Sequence, residues 1–228
     1  MTERTSHPQV ERDYIPGLGK QFLTPLYDVV HHVFGLAPVH EEMVTLSAPR
    51  DGHRVLDVGC GTGNLLRSTG KRHRDVELVG LDPDAKALSR AGRKARRAGL
   101  RMRLDRGFAQ ELPYPDGSFD VVFSSLMLHH LDGPSKDALL AEVRRVLRPD
   151  GLLVLADAVL EEHGHGIGWG RRNRGARGRM REQMRDNVGD AVSRRIAAAG
   201  FTVEPTRITA LRIGGKIGIE VARPSGPD

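Results

Sequence analysis

The chain has 228 residues, 39% of them hydrophobic, with 35 basic and 29 acidic side chains for a net charge of +6. That length suits one α/β domain with an appendage, or two small domains. The single cysteine, Cys60, excludes an internal disulfide and any cysteine-built metal site, and no metal is expected. No leader and no apolar run of membrane-spanning length is visible, so a cytoplasmic protein is expected. The basic balance, with a pI of about 9.9, suits an anionic substrate, a nucleic acid or a membrane surface. An arginine-rich proteome explains it as well and is the favoured reading.

Residues 1–48 read as a polar tail followed by an amphipathic helix around Phe22–His32, a small N-terminal cap that includes Tyr27. The main domain is expected over 49–228. Its first strand, His53–Val58, is an apolar run interrupted by Asp57 and followed by Gly59, Gly61 and Gly63. Glycines after a buried strand let a ligand approach the backbone, and free amides near Asn64 and Leu65 open the helix Leu65–Lys71. The spacing decides between ligands. A dinucleotide loop is G-x-G-x-x-G, whereas here the third glycine comes one residue early. Asp57 would repel a pyrophosphate but suits an ammonium group, and S-adenosylmethionine carries one and has no phosphate. A P-loop is excluded because no Gly-Lys-Ser/Thr follows.

The second strand, Val76–Asp82, ends in a carboxylate roughly 20 residues beyond the glycines, where a ribose diol is held in such folds. Asp82 also suits a helix cap, with Pro83 at the first helical position of Asp84–Ala98; beside the glycine loop, ribose binding is the better reading. Strands follow at Arg101–Arg106, Phe119–Ser125 and Leu152–Asp157, with a helix at Ser135–Leu147 and stops at Gly99 and Pro149-Asp150-Gly151. This alternation predicts a parallel, doubly wound sheet. A helix at Asn187–Ala199 precedes two neighbouring strands, Phe201–Ala210 and Leu211–Arg223, joined by a tight turn as an antiparallel edge. Between the strand Leu152–Asp157 and that helix, 160–186 is glycine-rich and carries Arg171, Arg172, Arg174, Arg177, Arg179, Arg181 and Arg185, which predicts a flexible basic substrate loop.

Taken together, VLDVGCGTGN, VGLDPD, RGFAQELPYPDGSFDVVFSSLMLHHL and EVRRVLRPDGLLVLAD, in this order over about residues 50–158, resemble the class I S-adenosylmethionine-dependent methyltransferases. The likeness is strongest to the ubiquinone/menaquinone-biosynthesis-like (methyltransferase type 11) group. The resemblance implies a Rossmann-like, seven-stranded, mostly parallel sheet with a reversed final strand and helices on both faces. It places Asp57, Gly59 and Gly61 at the methionine end of the cofactor, Asp82 at the ribose and Pro83 against the adenine. Ala109 and Gln110 fall at the adenine edge. One position departs from the group: Phe108 stands where an aspartate is common, leaving Gln110 or a backbone carbonyl to accept from the adenine amine. Phe108 itself either packs in the core or stacks on the ring.

By the same resemblance, the end of the fourth strand lies under the reacting methyl group, with Ser124 at the cofactor and Leu126 and His130 toward substrate. His129 is the candidate general base, its ordinary pKa near 6.5 suiting that work; the alternative is a histidine that caps the next helix or orients the loop. Tyr27 is a candidate to close the pocket. Three functions follow. The favoured one is methyl transfer from S-adenosylmethionine, with S-adenosylhomocysteine as product, to an oxygen or carbon nucleophile of a small molecule, such as a quinone precursor, lipid or secondary metabolite. The arginines would suit an anionic acceptor. The second is an RNA or protein methyltransferase using the arginine-rich loop, disfavoured for nucleobase amines because no Asp/Asn-Pro-Pro-Tyr/Phe motif is present. The third is a catalytically silent cofactor-binding protein.

Overall fold

The computed structural model describes residues 35–159, 190–211 and 215–226. The segment around Phe22–His32, Tyr27 and the basic segment 160–186 lie outside the described residues. One eight-stranded sheet runs in the order β3-β2-β1-β4-β5-β8-β6, with β7 also on β8. Its strands are β1 (Arg54–Val58), β2 (Glu77–Asp82), β3 (Met102–Arg106), β4 (Phe119–Ser125), β5 (Leu147–Val159), β6 (Phe201–Val203), β7 (Arg207–Ala210) and β8 (Lys216–Pro224). The pairs from β3 to β5 are parallel, and β8 is antiparallel to β5, β6 and β7.

Helices cover both faces because alternate strand residues point to opposite sides. On one face Leu56, Val58, Val122, Leu153 and Leu155 pack against α4 (Gly133–Val146) and α5 (Ala191–Ala198). On the other, Val55, Leu78, Phe123 and Val154 meet α1 (Ala37–Ser47), α2 (Asn64–Arg72) and α3 (Ala85–Arg97). Helix α1 was not foreseen. Pro38 starts it, and Val39, Met43 and Val44 give the apolar stripe that holds it to the sheet.

The structure corrects three details. The expected strand Phe201–Ala210 is split at Glu204-Pro205-Thr206, where proline removes a ladder donor. Val203 pairs Ala222 and Arg207 pairs Ile219, so three residues oppose two: a bulge within one edge strand. Counted as one, β6 and β7 give the seven strands expected. The expected stop at Pro149-Asp150-Gly151 is instead a bulge inside β5. Phe119 pairs Leu147 but Val121 pairs Leu152, so three extra residues loop out beside β4. Finally, the cap of α3 is Asp84, whose carboxylate accepts from the amides of Lys86 and Ala87 at 2.8 and 3.3 Å. Asp82 is thereby released from capping, and Pro83 precedes the helix.

The chain steps outward from β1 through β2 to β3, then returns to place β4 on the other side of β1. Such a switch point opens a crevice beyond the carboxyl ends of β1 and β4, where open α/β sheets hold ligands.

Candidate functional site

The first strand delivers Asp57 into a buried position one residue short of its carboxyl end. Among the described residues its Oδ1 has no hydrogen-bond partner. Burial, and then the nearby carboxylate of Asp82, push its pKa up to about 8. After Val58 the chain crosses the end of β2, with the amides of Gly59 and Cys60 both donating to the Leu81 carbonyl at 2.8 and 3.0 Å. Asp82 closes the turn from the other side: its Oδ2 accepts from Gly61 N at 2.8 Å and its Oδ1 from Asp84 N at 2.8 Å. Burial raises the Asp82 pKa to about 6, while these two amides pull it down. Cys60, held nearby, stays a thiol because burial and the charges of Asp57 and Asp82 push it well above its ordinary value.

Two glycines of the loop are needed for different reasons. Gly59 has φ +76°, and a Cβ there would lie 2.5 Å from Met127 Cγ, so the end of β4 packs directly on the loop. Gly61 has φ +51°, and a Cβ there meets nothing within 4 Å. The loop is braced from behind by α3. Lys94 Nζ donates to Thr62 Oγ1 at 3.0 Å and to Asn64 Oδ1 at 2.9 Å, fixing the first residue of α2 relative to the glycines. Substituting Lys94→Met removes both charge-assisted bonds. It is expected to weaken S-adenosylmethionine binding about tenfold in calorimetry, with Lys94→Arg recovering part of the loss.

Register pairing of Asp82 with Arg106 sets the turns after β2 and β3 side by side. Gly107 N reaches the Asp82 carbonyl at 3.4 Å, and Arg106 Nε donates to the Pro83 carbonyl at 3.1 Å. Pro83 therefore adjoins the segment leading to Ala109 and Gln110. Ala109 is buried against the α4 face of the core and Gln110 is half-buried. Phe108 is half-buried and belongs to neither core cluster. Arg145 of α4 holds the following stretch, donating to the carbonyls of Leu112 and Tyr114 at 3.0 and 2.8 Å and to the carboxylates of Glu142 and Asp116.

At the end of β4, Ser124 Oγ is buried and has no partner among the described residues. Leu126 follows with φ +55°, an uncommon backbone for a non-glycine residue, held by its amide donating to the Ala156 carbonyl at 2.8 Å. This turn lays Met127 over Gly59 and starts a 3-10 turn at Leu128–His130. His129 Nδ1 is 2.5 Å from Asp157 Oδ1, and its amide donates to Asp157 Oδ2 at 2.9 Å. Burial lowers the His129 pKa, but the carboxylate beside it outweighs this and holds the imidazole above 6.5. Asp157 is the mirror case. Burial opposes its charge, yet His129 and the amides of His129 and Ala158 take it below its usual value. His130 lies with its ring 4.1 Å from that of His129 and is driven down to about 4 by burial and then by its neighbour's charge.

Asp57, Gly59, Gly61 and Asp82 thus form one connected cluster, flanked by Pro83, Ala109 and Gln110. Ser124, Leu126, His129 and His130 share the end of β4, which touches the cluster through Met127 on Gly59. Four contributors were missed from sequence: Lys94, Met127, Asp157 and His40, whose Nε2 lies 3.2 Å from Ser125 Oγ. Only Asp157 carried a readable signal, a lone acid ending an apolar strand.

The fit to S-adenosylmethionine can be tested on these atoms. A buried carboxylate oxygen without a partner suits the α-ammonium, and the Asp82 carboxylate beside the loop suits a ribose diol. The open side of Gly61 leaves room for a ligand against backbone. No phosphate-binding side chain is offered, and two acids would oppose one. The residues fit.

Known proteins agree. Residues 55–151 match the model of a methyltransferase-domain family. The chain is 39% identical over 113 residues to 27-O-demethylrifamycin SV methyltransferase of Amycolatopsis mediterranei, covering 49% of this chain and 40% of that protein. It is 36% identical over 138 residues to demethylmenaquinone methyltransferase of Deinococcus radiodurans, covering 59% and 56%. The chain thus spans from two fifths to just over half the length of these curated relatives. The crystal structure of the [4+2]-cyclase SpnF superposes with a TM-score of 0.71 at 20% identity, over 90% of this chain and 96% of that one, which shows a shared fold. The fold is the Rossmann-like one shared with solved methyltransferase structures. Residues 55–151 are thus similar to a methyltransferase domain, and the relatives matched in this region include a rifamycin and a menaquinone methyltransferase.

Proposed function

We propose that the protein uses S-adenosylmethionine to methylate an oxygen or carbon nucleophile of a small molecule. The observation that carries this is the joined pair of carboxylates at the switch point, Asp57 with its unpartnered Oδ1 and Asp82 bonded to the glycine loop. When bound, the cofactor supplies an electrophilic methyl group on its sulfonium. Asp57 holds its ammonium, Asp82 its ribose hydroxyls, and Gly59 and Gly61 admit it against the backbone. Pro83, Ala109 and Gln110 flank the adenine, and Ser124 Oγ finds a partner in the same cleft. Leu126 and His130 border the acceptor, and His129 meets its proton. Positioning is the main contribution, since proximity and orientation can supply roughly 7–11 kcal/mol. The relatives methylate a rifamycin and demethylmenaquinone, which supports an organic small molecule as acceptor.

Calorimetry tests the reading. S-adenosylmethionine and S-adenosylhomocysteine are both expected to bind, and Asp82→Ala is expected to weaken each by 10-fold or more. Absence of binding to the native protein, or full binding to Asp82→Ala, would overturn it.

A further inference from the structure

Methyl acceptors differ in what they ask of the protein. A carboxylate or other preformed anion attacks without help. A phenol resembles tyrosine, with a pKa of about 10, while an aliphatic hydroxyl is close to water, at about 15.7. A neutral hydroxyl needs a group to take its proton as the new bond forms; a neutral carbon acceptor also loses a proton, so the product formed separates these two. A protein acting on an anion has no use for a buried, oriented base at the acceptor side.

The end of β4 holds such a group. Asp157 fixes the imidazole of His129 through Nδ1 at 2.5 Å and fixes the backbone beneath it through the His129 amide at 2.9 Å. The carboxylate is itself anchored by the Ala158 amide at 2.7 Å. With Nδ1 committed to Asp157, the lone pair of the neutral ring belongs to Nε2. That atom accepts no hydrogen bond from any described residue and is not sealed in, since the side chain keeps 12% of its surface exposed. The groups around the ring act in known directions: Asp157 from β5 favours the imidazolium, while Lys136 from α4 opposes it. His130, kept neutral, adds no charge against it near neutral pH.

We infer that the acceptor is a neutral hydroxyl, methylated to an ether, with His129 Nε2 as its general base and Asp157 as the residue that positions His129. This rests on the methyltransferase reading above. In the step, the hydroxyl oxygen forms the bond to the methyl carbon as the carbon–sulfur bond breaks with its electron pair left on sulfur. The hydroxyl proton passes to His129 Nε2, and the imidazolium so formed is balanced by Asp157. The proton leaves to solvent before the next turnover.

Two measurements decide it, and calorimetry on each variant separates its failure from failure of cofactor binding. The first is 15N NMR of the His129 ring in the S-adenosylhomocysteine complex between pH 6 and 9. The proton is expected on Nδ1 with Nε2 bare at the alkaline end, after a titration above 6.5 that falls in Asp157→Asn. A proton that stays on Nε2 to pH 9 would overturn the proposal. The second is methyl-labelled S-adenosylmethionine with cell extract and with added sterol, menaquinol and fatty-acid probes. His129→Asn keeps an N–H to donate to Asp157 but has no basic nitrogen. The expected result is a labelled ether whose formation falls 10²–10⁴-fold in kcat in His129→Asn, at unchanged cofactor affinity. A methyl ester, a C-methyl product or an undiminished His129→Asn rate would overturn it.

Discussion

Affinity for S-adenosylmethionine is expected to rise about 20-fold between pH 6 and pH 7.5, with uptake of cofactor releasing a proton. Asp57 has a pKa near 8 in the free protein because burial and Asp82 both disfavour its charge. Only the carboxylate pairs with an ammonium, so affinity follows the ionised fraction, which grows nearly tenfold per pH unit below 8. Above that the rise stops, and the ligand's own α-ammonium begins to deprotonate, so a maximum is expected on the alkaline side of neutrality. Calorimetry in buffers of different ionisation enthalpy reads the proton directly. A pH-independent affinity with no proton released would show that Asp57 is not the ammonium partner.

The same carboxylate opposes folding of the free protein. A carboxyl group whose folded pKa lies above its unfolded value favours the protonated form in the native state. The contribution of Asp57 to stability is therefore fully present below about pH 4 and declines as pH rises from 3.8 toward 8, by up to about 1.4 kcal/mol per unit. Asp57→Asn lifts that penalty. It is expected to raise the Tm of the cofactor-free protein at pH 8 while weakening S-adenosylmethionine binding by 10²-fold or more. Gain and loss in one substitution distinguish a binding carboxylate from a structural one, whose replacement would lower both.

How far these residues could be read in advance depends on how local their signals are. Asp57, the glycines and Asp82 lie on one strand–loop–helix–strand unit, where period-2 apolar runs fix the strands and glycine marks the turn. The strands and the glycine turn of that unit were legible, but the bond from the Gly61 amide to Asp82 was not. The role of Asp82 in capping was not, because Asp82 and Asp84 are equivalent by composition and only backbone geometry gives the cap to Asp84. Lys94 and Thr62 are 32 residues apart, and Asp157 and His129 are 28 apart. Each pair meets only once helices and strands are packed, and no single-sequence pattern links them. The bulges at Pro149–Gly151 and Glu204–Thr206 were misread for a related reason: proline and glycine mark a break in a ladder, but not whether the strand resumes beyond it.

The second large effect is expected at Gly61. Its backbone lies in the left-handed region, so Gly61→Ala costs about 1–2 kcal/mol of strain, a fall in Tm of a few degrees for a chain this long. No atom of the described protein lies within 4 Å of the added Cβ, and the Gly61 amide can still donate to Asp82. On folding grounds alone the substitution is mild. On the cofactor side it is not, because the methyl group would project where the ligand is held against the backbone, and a loss of 10-fold or more in S-adenosylmethionine affinity is expected. Gly99 supplies the control. It follows α3 with φ +65° and equally open space, so Gly99→Ala carries the same backbone strain away from the cleft. Matched losses in Tm with affinity lost only in Gly61→Ala would assign the open face of the loop to the cofactor. Equal affinities in the two variants would mean that the glycine at 61 serves only to turn the chain.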